Sequence, residues 1–264
     1  VYKRHRYIVE NLKSCIDKGY NRQDAAFFDR SNAQSRVLES ALLQFDIPYR
    51  VYGGQRFFER LEIKNALAYM RLILNCHDDV AFERVVNIPP RGIGERTVDT
   101  VREHARNISI SMWSAAKAMI VDKNLNTRSA NALAAFLNLI NEMTNTLEAL
   151  PLSELAENSI EMSGLIEMHR REKGERGQSR VENLEELVGA CKNFTPESID
   201  TPVLAQFLDQ VSLEAGERQA NEDQDAVQLM TLHSAKGLEF PLVIMAGLEA
   251  VSYTHLRAHE TMSN

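Results

Sequence analysis

Within seven residues, the stretch TLHSAKGLEF (Thr231 to Phe240) carries His233, Ser234, Lys236, Gly237 and Glu239. A lysine offers three donors and a fixed charge, a glutamate offers only acceptors, and a histidine can do either. That set suits a ligand with phosphates and hydroxyls. The stretch follows the apolar alternation of AVQLM and is too polar and too short to be another core element, so it reads as a working loop; a merely solvated charged loop is the bland alternative. A second group is the turn PPRGIGERTVDTVREHA (Pro89 to Ala105), in which Gly92 and Gly94 precede a helical pattern. Glycines let backbone approach a phosphate closely, and the helix start beyond them offers unpaired N–H groups and a positive dipole end. Many G-x-G sequences are nothing more than turns.

These groups need elements to hold them. YIVENLKSCIDKGY predicts a helix ending near Gly19, AAFFDR a short buried strand, SRVLESALLQFD a helix with Val37, Leu38, Ala41, Leu42 and Phe45 on one face, and PYRVYG a second strand. That alternation is the pattern of a parallel sheet. After Gly53 and Gly54 only helical periodicity follows. One stripe is Ile63, Ala66, Leu67, Met70, Ile73 and Leu74; another is Ala130, Leu133, Ala134, Leu137 and Ile140; a third is Val181, Leu184, Leu187, Val188 and Cys191. NIPPRGIG, EKGERGQ and TPESIDTP are breaks between them. Past the acidic run EAGERQANEDQD, strand signals return in AVQLMTLH and PLVIMAGL, the latter apolar enough for burial on both faces. The expected architecture is an α/β parallel-sheet domain interrupted by a large all-α insertion. Its first part is 1–53, the helical insertion 54–221 and its second part 222–250. Ligands of open parallel sheets gather beyond the carboxyl ends of the strands, which is where TLHSAKGLEF falls.

Several stretches carry a family resemblance. VQLMTLHSAKGLEF resembles motif V, and RSNAQSRVLESALL (Arg30 to Leu43) motif IVa, of the UvrD/Rep/PcrA group of superfamily 1 DNA helicases. PYRVYGGQRFFERLEIKNALAYMRLI, CHDDVAFERVVNIPPRGIG and RVENLEELV are similar to further blocks of that group, in the same order, so that the resemblance covers residues 20–249. It implies a RecA-like domain called 2A, here partial, with an inserted domain 2B, from an enzyme that uses ATP and Mg2+ to move along single-stranded DNA in the 3′ to 5′ direction. In motif V it implies that Thr231, His233 and Lys236 face the DNA strand, while Gly237 and Glu239 serve the nucleotide, Glu239 accepting from the ribose. One loop touching both ligands is a route for coupling ATP state to DNA grip. It further implies single-strand contacts from Arg30 and Asn32, a phosphate donor and a group able to donate and accept at sugar or base edges. Asn32 reads equally well as a helix N-cap. The G-I-G turn resembles half of a helix-hairpin-helix, which points to Gly92, Ile93, Gly94 and Thr97 as duplex contacts.

Composition bounds these implications. With a net charge of −7 there is no global basic field, so DNA would be held by local clusters. Cys15, Cys76 and Cys191 have no C-x-x-C spacing, which predicts neither a disulfide framework nor a zinc site and suits a reducing cytoplasm; the resemblance implies a bacterial, nucleoid-associated protein. No apolar run approaches the ~18 residues of a membrane span. HRREKGERGQSR (His169 to Arg180) has five Lys or Arg against two Glu and reads either as a phosphate track or as a charged exposed loop. Asp78 and Asp79 read as helix-start or domain-contact charges, with no metal site expected. The phosphate cradle G-x-x-x-x-G-K-[ST] and the motif VI finger arginine are absent from the sequence.

The valine start, with no cleavable leader, suggests a fragment, and the resemblance implies that it lacks an N-terminal domain 1A/1B and is inactive alone, binding neither ATP nor Mg2+ stably. AVSYTHLRAHETMSN resembles vector read-through, so 251–264 is expected to be a non-native tail, and His255, His259 and Glu260 receive no role. DNA is the expected partner, as single strand and as single-strand/duplex junction, with repair proteins besides. Other readings are an AddA- or RecB-type helicase-nuclease fragment, a DNA-binding module without ATPase function, and a partner-docking helical protein.

Overall fold

Four short runs rich in β-formers make one sheet: β1 (Ala25–Asp29), β2 (Tyr49–Val51), β3 (Val227–Thr231) and β4 (Leu242–Met245). In this computed structural model, which describes residues 2–29, 35–52, 54–147, 149–216, 224–231 and 234–245, their order is β2-β3-β1-β4 and every pairing is parallel. The centre of the sheet therefore joins chain segments some 200 residues apart, with Asp29 opposite Thr231 at the carboxyl edge. At the opposite edge Asp225 accepts from the Gln23 N–H at 2.8 Å and pairs with Arg22 at 3.6 Å, tying the approaches to β1 and β3 together.

Helices α1 (Tyr2–Asp17) and α2 (Ser35–Gln44) accompany the sheet. Val9, Leu12, Leu38 and Leu42 pack with Phe27, Tyr49, Val227 and Leu229 in one apolar cluster. Between β2 and β3 run α3 (Leu61–Leu74), α4 (Asp79–Val85), α5 (Glu95–Asn107), α6 (Met112–Val121), α7 (Thr127–Thr144), α8 (Leu152–Ser163), α9 (Leu165–Arg170), α10 (Glu175–Asn193) and α11 (Val203–Gly216). Their buried residues form a second cluster around Tyr69, Phe82, Trp113 and Phe136, and the two clusters share no residue. Aromatic edges meet faces inside it, as at Phe82 and Phe136 with centroids 5.5 Å apart. Among the described residues no helix is long and apolar enough to cross a membrane.

Three sequence expectations need correction. The apolar run Leu242–Met245 is not buried on both faces: β4 pairs, among the described residues, only with β1; its Leu242 and Ile244 pack inward, while Val243 and Met245 on the other face stay 40% and 55% exposed. A continuous apolar run cannot distinguish a strand covered on both faces from one with a single covered face. In α2 Leu38 and Leu42 enter the apolar cluster with Ala41 and Phe45 packed against it, but Val37 is only half-buried and the buried face also takes in Ser35, Arg36 and Glu39. Periodicity scores only apolar residues and misses a polar buried stripe. The break placed at EKGERGQ is shorter than expected, because α10 already begins at Glu175. The stripes of α3, α7 and α10 do face the helical core, although α3 is buried nearly all round, with Ala68, Tyr69 and Leu72 besides.

Candidate nucleotide- and nucleic-acid-binding sites

The loop after β3 leaves the carboxyl edge of the sheet. Thr231 accepts from the N–H groups of Ser234 (3.0 Å) and Ala235 (3.1 Å) through its carbonyl, and its hydroxyl lies 3.0 Å from that of Ser234, winding 234–237 into a tight turn. Gly237 closes the turn at φ +85°, a left-handed conformation that a side chain would strain, and nothing lies within 4 Å of where its Cβ would be. Phe240 then packs edge-on against Phe28 of β1, with centroids 6.2 Å apart. The loop is thus fixed at both ends. Between them Lys236 and Glu239 are exposed, and neither has an ion pair or hydrogen bond among the described residues. Charges held on a pinned loop and left uncompensated by the protein suit an external ligand. His233, Arg30 and Asn32 lie outside the described residues, but Asp29, directly before Arg30, ends β1 beside Thr231.

The second group sits on the helical body. Gly92 adopts φ +80°, and Gly94 is the N-cap of α5, its carbonyl accepting from Thr97 and Val98. Both glycines are exposed, whereas Ile93 is only 1% exposed and its N–H donates to Asn87 Oδ1, so Ile93 anchors the turn from inside. Thr97 Oγ1 lies 3.2 Å from Ser129 Oγ, which sets the starts of α5 and α7 side by side. Sequence reasoning missed two exposed cations here. Arg96 belongs to the first turn of α5, and the Arg128 guanidinium reaches to within 3.9 Å of the Gly92 Cβ position from α7. Arg128 is remote in sequence, so no motif spacing could have announced it. Arg91, by contrast, points inward. It donates to the carbonyls of Val85, Pro89 and Ser163 and lies over the rings of Tyr69 and Phe136 at 5.7 and 5.6 Å.

Two of the five Lys or Arg in the stretch 169–180 are paired within it or next to it. Glu172 Oε1 takes His169 Nδ1 at 2.7 Å and Arg180 Nη1 at 2.6 Å, and Arg171 pairs with Glu167 at 2.9 Å. Burial pushes the Glu172 carboxyl up, but the hydrogen bonds from His169 and Arg180 outweigh it and hold it below the usual range. Arg170, Lys173 and Arg176 remain exposed. Asp78 caps α4 by accepting from the Ala81 N–H at 2.9 Å, and Asp79 accepts from the Met112 N–H at 2.8 Å, which places both as helix-start charges. Among the described residues no group of three or more His, Cys, Asp or Glu gathers as a metal site would.

Residues 2–262 match the family model of the UvrD-like helicase C-terminal domain. The chain belongs to that family. It is 52% identical over 246 residues to DNA helicase II of Escherichia coli K12, covering 92% of this chain and 34% of that protein. To DNA helicase II of Haemophilus influenzae it is 47% identical, over 97% of the chain and 35% of the relative. To the ATP-dependent DNA helicase PcrA of Bacillus subtilis it is 38% identical, over 89% and 32%. The chain therefore spans about a third of the length of these relatives. A UvrD-like C-terminal domain with a parallel sheet fits the RecA-like α/β reading of residues on either side of the helices.

Proposed function

We propose that this chain is the C-terminal-region part of an ATP-dependent DNA helicase that moves 3′ to 5′ along a single strand in repair or replication. Residues 1–53 and 222–250 are the two parts of a RecA-like domain 2A and 54–221 the inserted helical domain 2B; the tail 251–264 lies outside the described residues. The observation that carries this reading is the loop Thr231–Glu239, pinned at the carboxyl edge of a parallel sheet with Lys236 and Glu239 left uncompensated. Thr231, His233 and Lys236, with Arg30 and Asn32, grip the single strand; Glu239 accepts a ribose hydroxyl beside Gly237.

ATP with Mg2+ supplies phosphoryl-transfer free energy when bound between this sheet and the RecA-like domain 1A of the whole protein. The exposed carboxylate of Glu239 and the open space at Gly237 fit a nucleotide's sugar, whereas no residue of the chain fits the role of the phosphate cradle. Hydrolysis consequently needs groups the chain lacks, and alone it binds DNA without turning ATP over.

Gly92, Gly94 and Thr97 form the duplex contact, flanked by Arg96 and Arg128. Ile93 holds the turn from within and offers at most backbone. Gly94→Val tests this, because Gly94 has ordinary backbone angles (φ −74°, ψ 162°) and open space around its Cβ, so the fold accepts the side chain. The added methyl groups occupy the volume a phosphate would enter. We expect single-strand/duplex junction affinity at low salt to fall about tenfold, the equivalent of one lost phosphate contact at ~1.4 kcal/mol, with single-strand affinity unchanged. Fluorescence anisotropy with both DNAs measures the split; junction affinity equal to that of the unsubstituted chain removes the duplex role.

A further inference from the structure

Strands β2 and β3 run side by side and end together at the carboxyl edge of the sheet. Tyr49 pairs with Val227 and Val51 with Leu229, and the Tyr52 N–H carries the ladder one residue further by donating to the Leu229 carbonyl at 2.8 Å. Tyr52 is thereby held level with Met230, one residue short of the Thr231 turn that leads to Lys236. Its backbone is fixed, yet the residue is 48% exposed, and among the described residues its hydroxyl has no hydrogen-bond partner and its ring meets no other ring or cation. Tyr20, exposed to a similar degree, lies before β1 on the amino side of the sheet.

A single exposed tyrosine is ordinary on a protein surface. What sets Tyr52 apart is its neighbour: the adjoining strand end, one strand spacing or about 4.8 Å away, opens into the loop that presents Lys236. Surfaces that hold single strands combine cations, which meet the phosphates, with aromatic rings, on which successive bases stack; stacking tolerates any sequence because every base has a π-face. A tyrosine ring suits that part, being large, flat and stiff, with a hydroxyl that stays content in water. We propose that Tyr52 stacks on a base of the single strand, next along the sheet edge from the phosphate contact at Lys236. This role rests on the single-strand reading of the Thr231–Glu239 loop. It adds to that loop a contact without charge, and it draws the path of the nucleic acid over the ends of β3 and β2, toward the side where the chain enters its helical body.

Fluorescence anisotropy of labelled oligo(dT) with the whole 264-residue chain at low salt separates a stacking contact from a charged one. Tyr52→Ala weakens binding about tenfold, within the range of one lost base–aromatic stack, and keeps the slope of log Kd against log salt, whereas Lys236→Ala lowers affinity and slope together. Against an abasic strand of the same length, which has the phosphates but no bases, Tyr52→Ala and the unsubstituted chain bind alike. Tyr52→Phe keeps the ring and retains most of the affinity for oligo(dT). Tyr52→Trp gives a direct signal: oligo(dT) quenches its emission over the steady background of Trp113, which is 2% exposed within the helical core. Because Tyr52 is half-exposed, these exchanges leave both cores intact, and circular dichroism checks that they do. Full affinity of Tyr52→Ala beside a weakened Lys236→Ala overturns the stack and leaves the single-strand reading standing. So does a loss in Tyr52→Ala that persists on the abasic strand or that Tyr52→Phe reproduces. Full affinity in both variants, or no binding of oligo(dT) by the unsubstituted chain, removes the single-strand reading and the stack with it.

Discussion

Glu39→Ala should cost about 3–5 kcal/mol of unfolding free energy, the range for removing one member of a buried ionic network. Glu39 is 5% exposed and holds the Tyr49 hydroxyl, the Ser35 hydroxyl and the Phe57 N–H. A buried donor left without a partner costs about 1–3 kcal/mol. Ser35 retains its bond from Arg60, but among the described residues the Phe57 N–H and the Tyr49 hydroxyl have no substitute acceptor. Burial, and then the negative charge of Glu39, push the Tyr49 phenol far above its ordinary value, so it stays a neutral donor that needs an acceptor. Glu39→Gln keeps one acceptor oxygen and should lose less. Urea unfolding of the three proteins checks this; a loss under about 1 kcal/mol for alanine, the size of an ordinary exposed contact, would mean the carboxylate is not needed.

Gly177→Ala is the second large effect, and its cause is different. A Cβ there would sit 2.5 Å from the His169 carbonyl oxygen and 2.8 Å from that of Glu172. Both obstacles are backbone, so neither can swing aside, and the turn between α9 and α10 has to move. Overpacking of this kind costs about 1–3 kcal/mol, and here the displaced residues include Glu172, which joins His169 to Arg180, and through Arg180 approaches Glu62 at 3.8 Å. We expect the melting temperature to fall by several degrees and Gly177→Val to fall further, whereas Gly174→Ala, at a position with open space but a left-handed φ, should fall less. Equal melting temperatures for Gly177→Ala and the unsubstituted chain would contradict the close approach.

The strands, the helical middle and the site loop were legible because each has a local signature. Leu38 and Leu42 repeat at helical spacing, AAFFD and VQLMT are short runs of strand formers, and TLHSAKGLEF is too polar for a core. The rest depended on partners far along the chain. Glu39, Arg56 and Arg60 read as surface charges until folding brings α10, α11 and Tyr49 against them. The exposed face of β4 depends on which elements pack over it, something the run itself does not record. Arg91, next to the Gly92 turn in sequence, turns inward and gives its Nη groups to three carbonyls, while Arg128, which no motif marks, stands beside Gly92.

The central claim is that one loop serves nucleotide and nucleic acid with separate side chains, and paired variants in a full-length helicase carrying this segment test it most directly. Glu239→Ala should raise the ATP concentration for half-maximal DNA-stimulated hydrolysis about tenfold or more, as expected for a lost hydrogen bond to a charged group, with single-strand Kd nearly unchanged. Lys236→Ala should do the reverse, weakening single-strand binding and reducing its salt slope by about one. Equal losses for both ligands from each variant would contradict the division of labour within the loop.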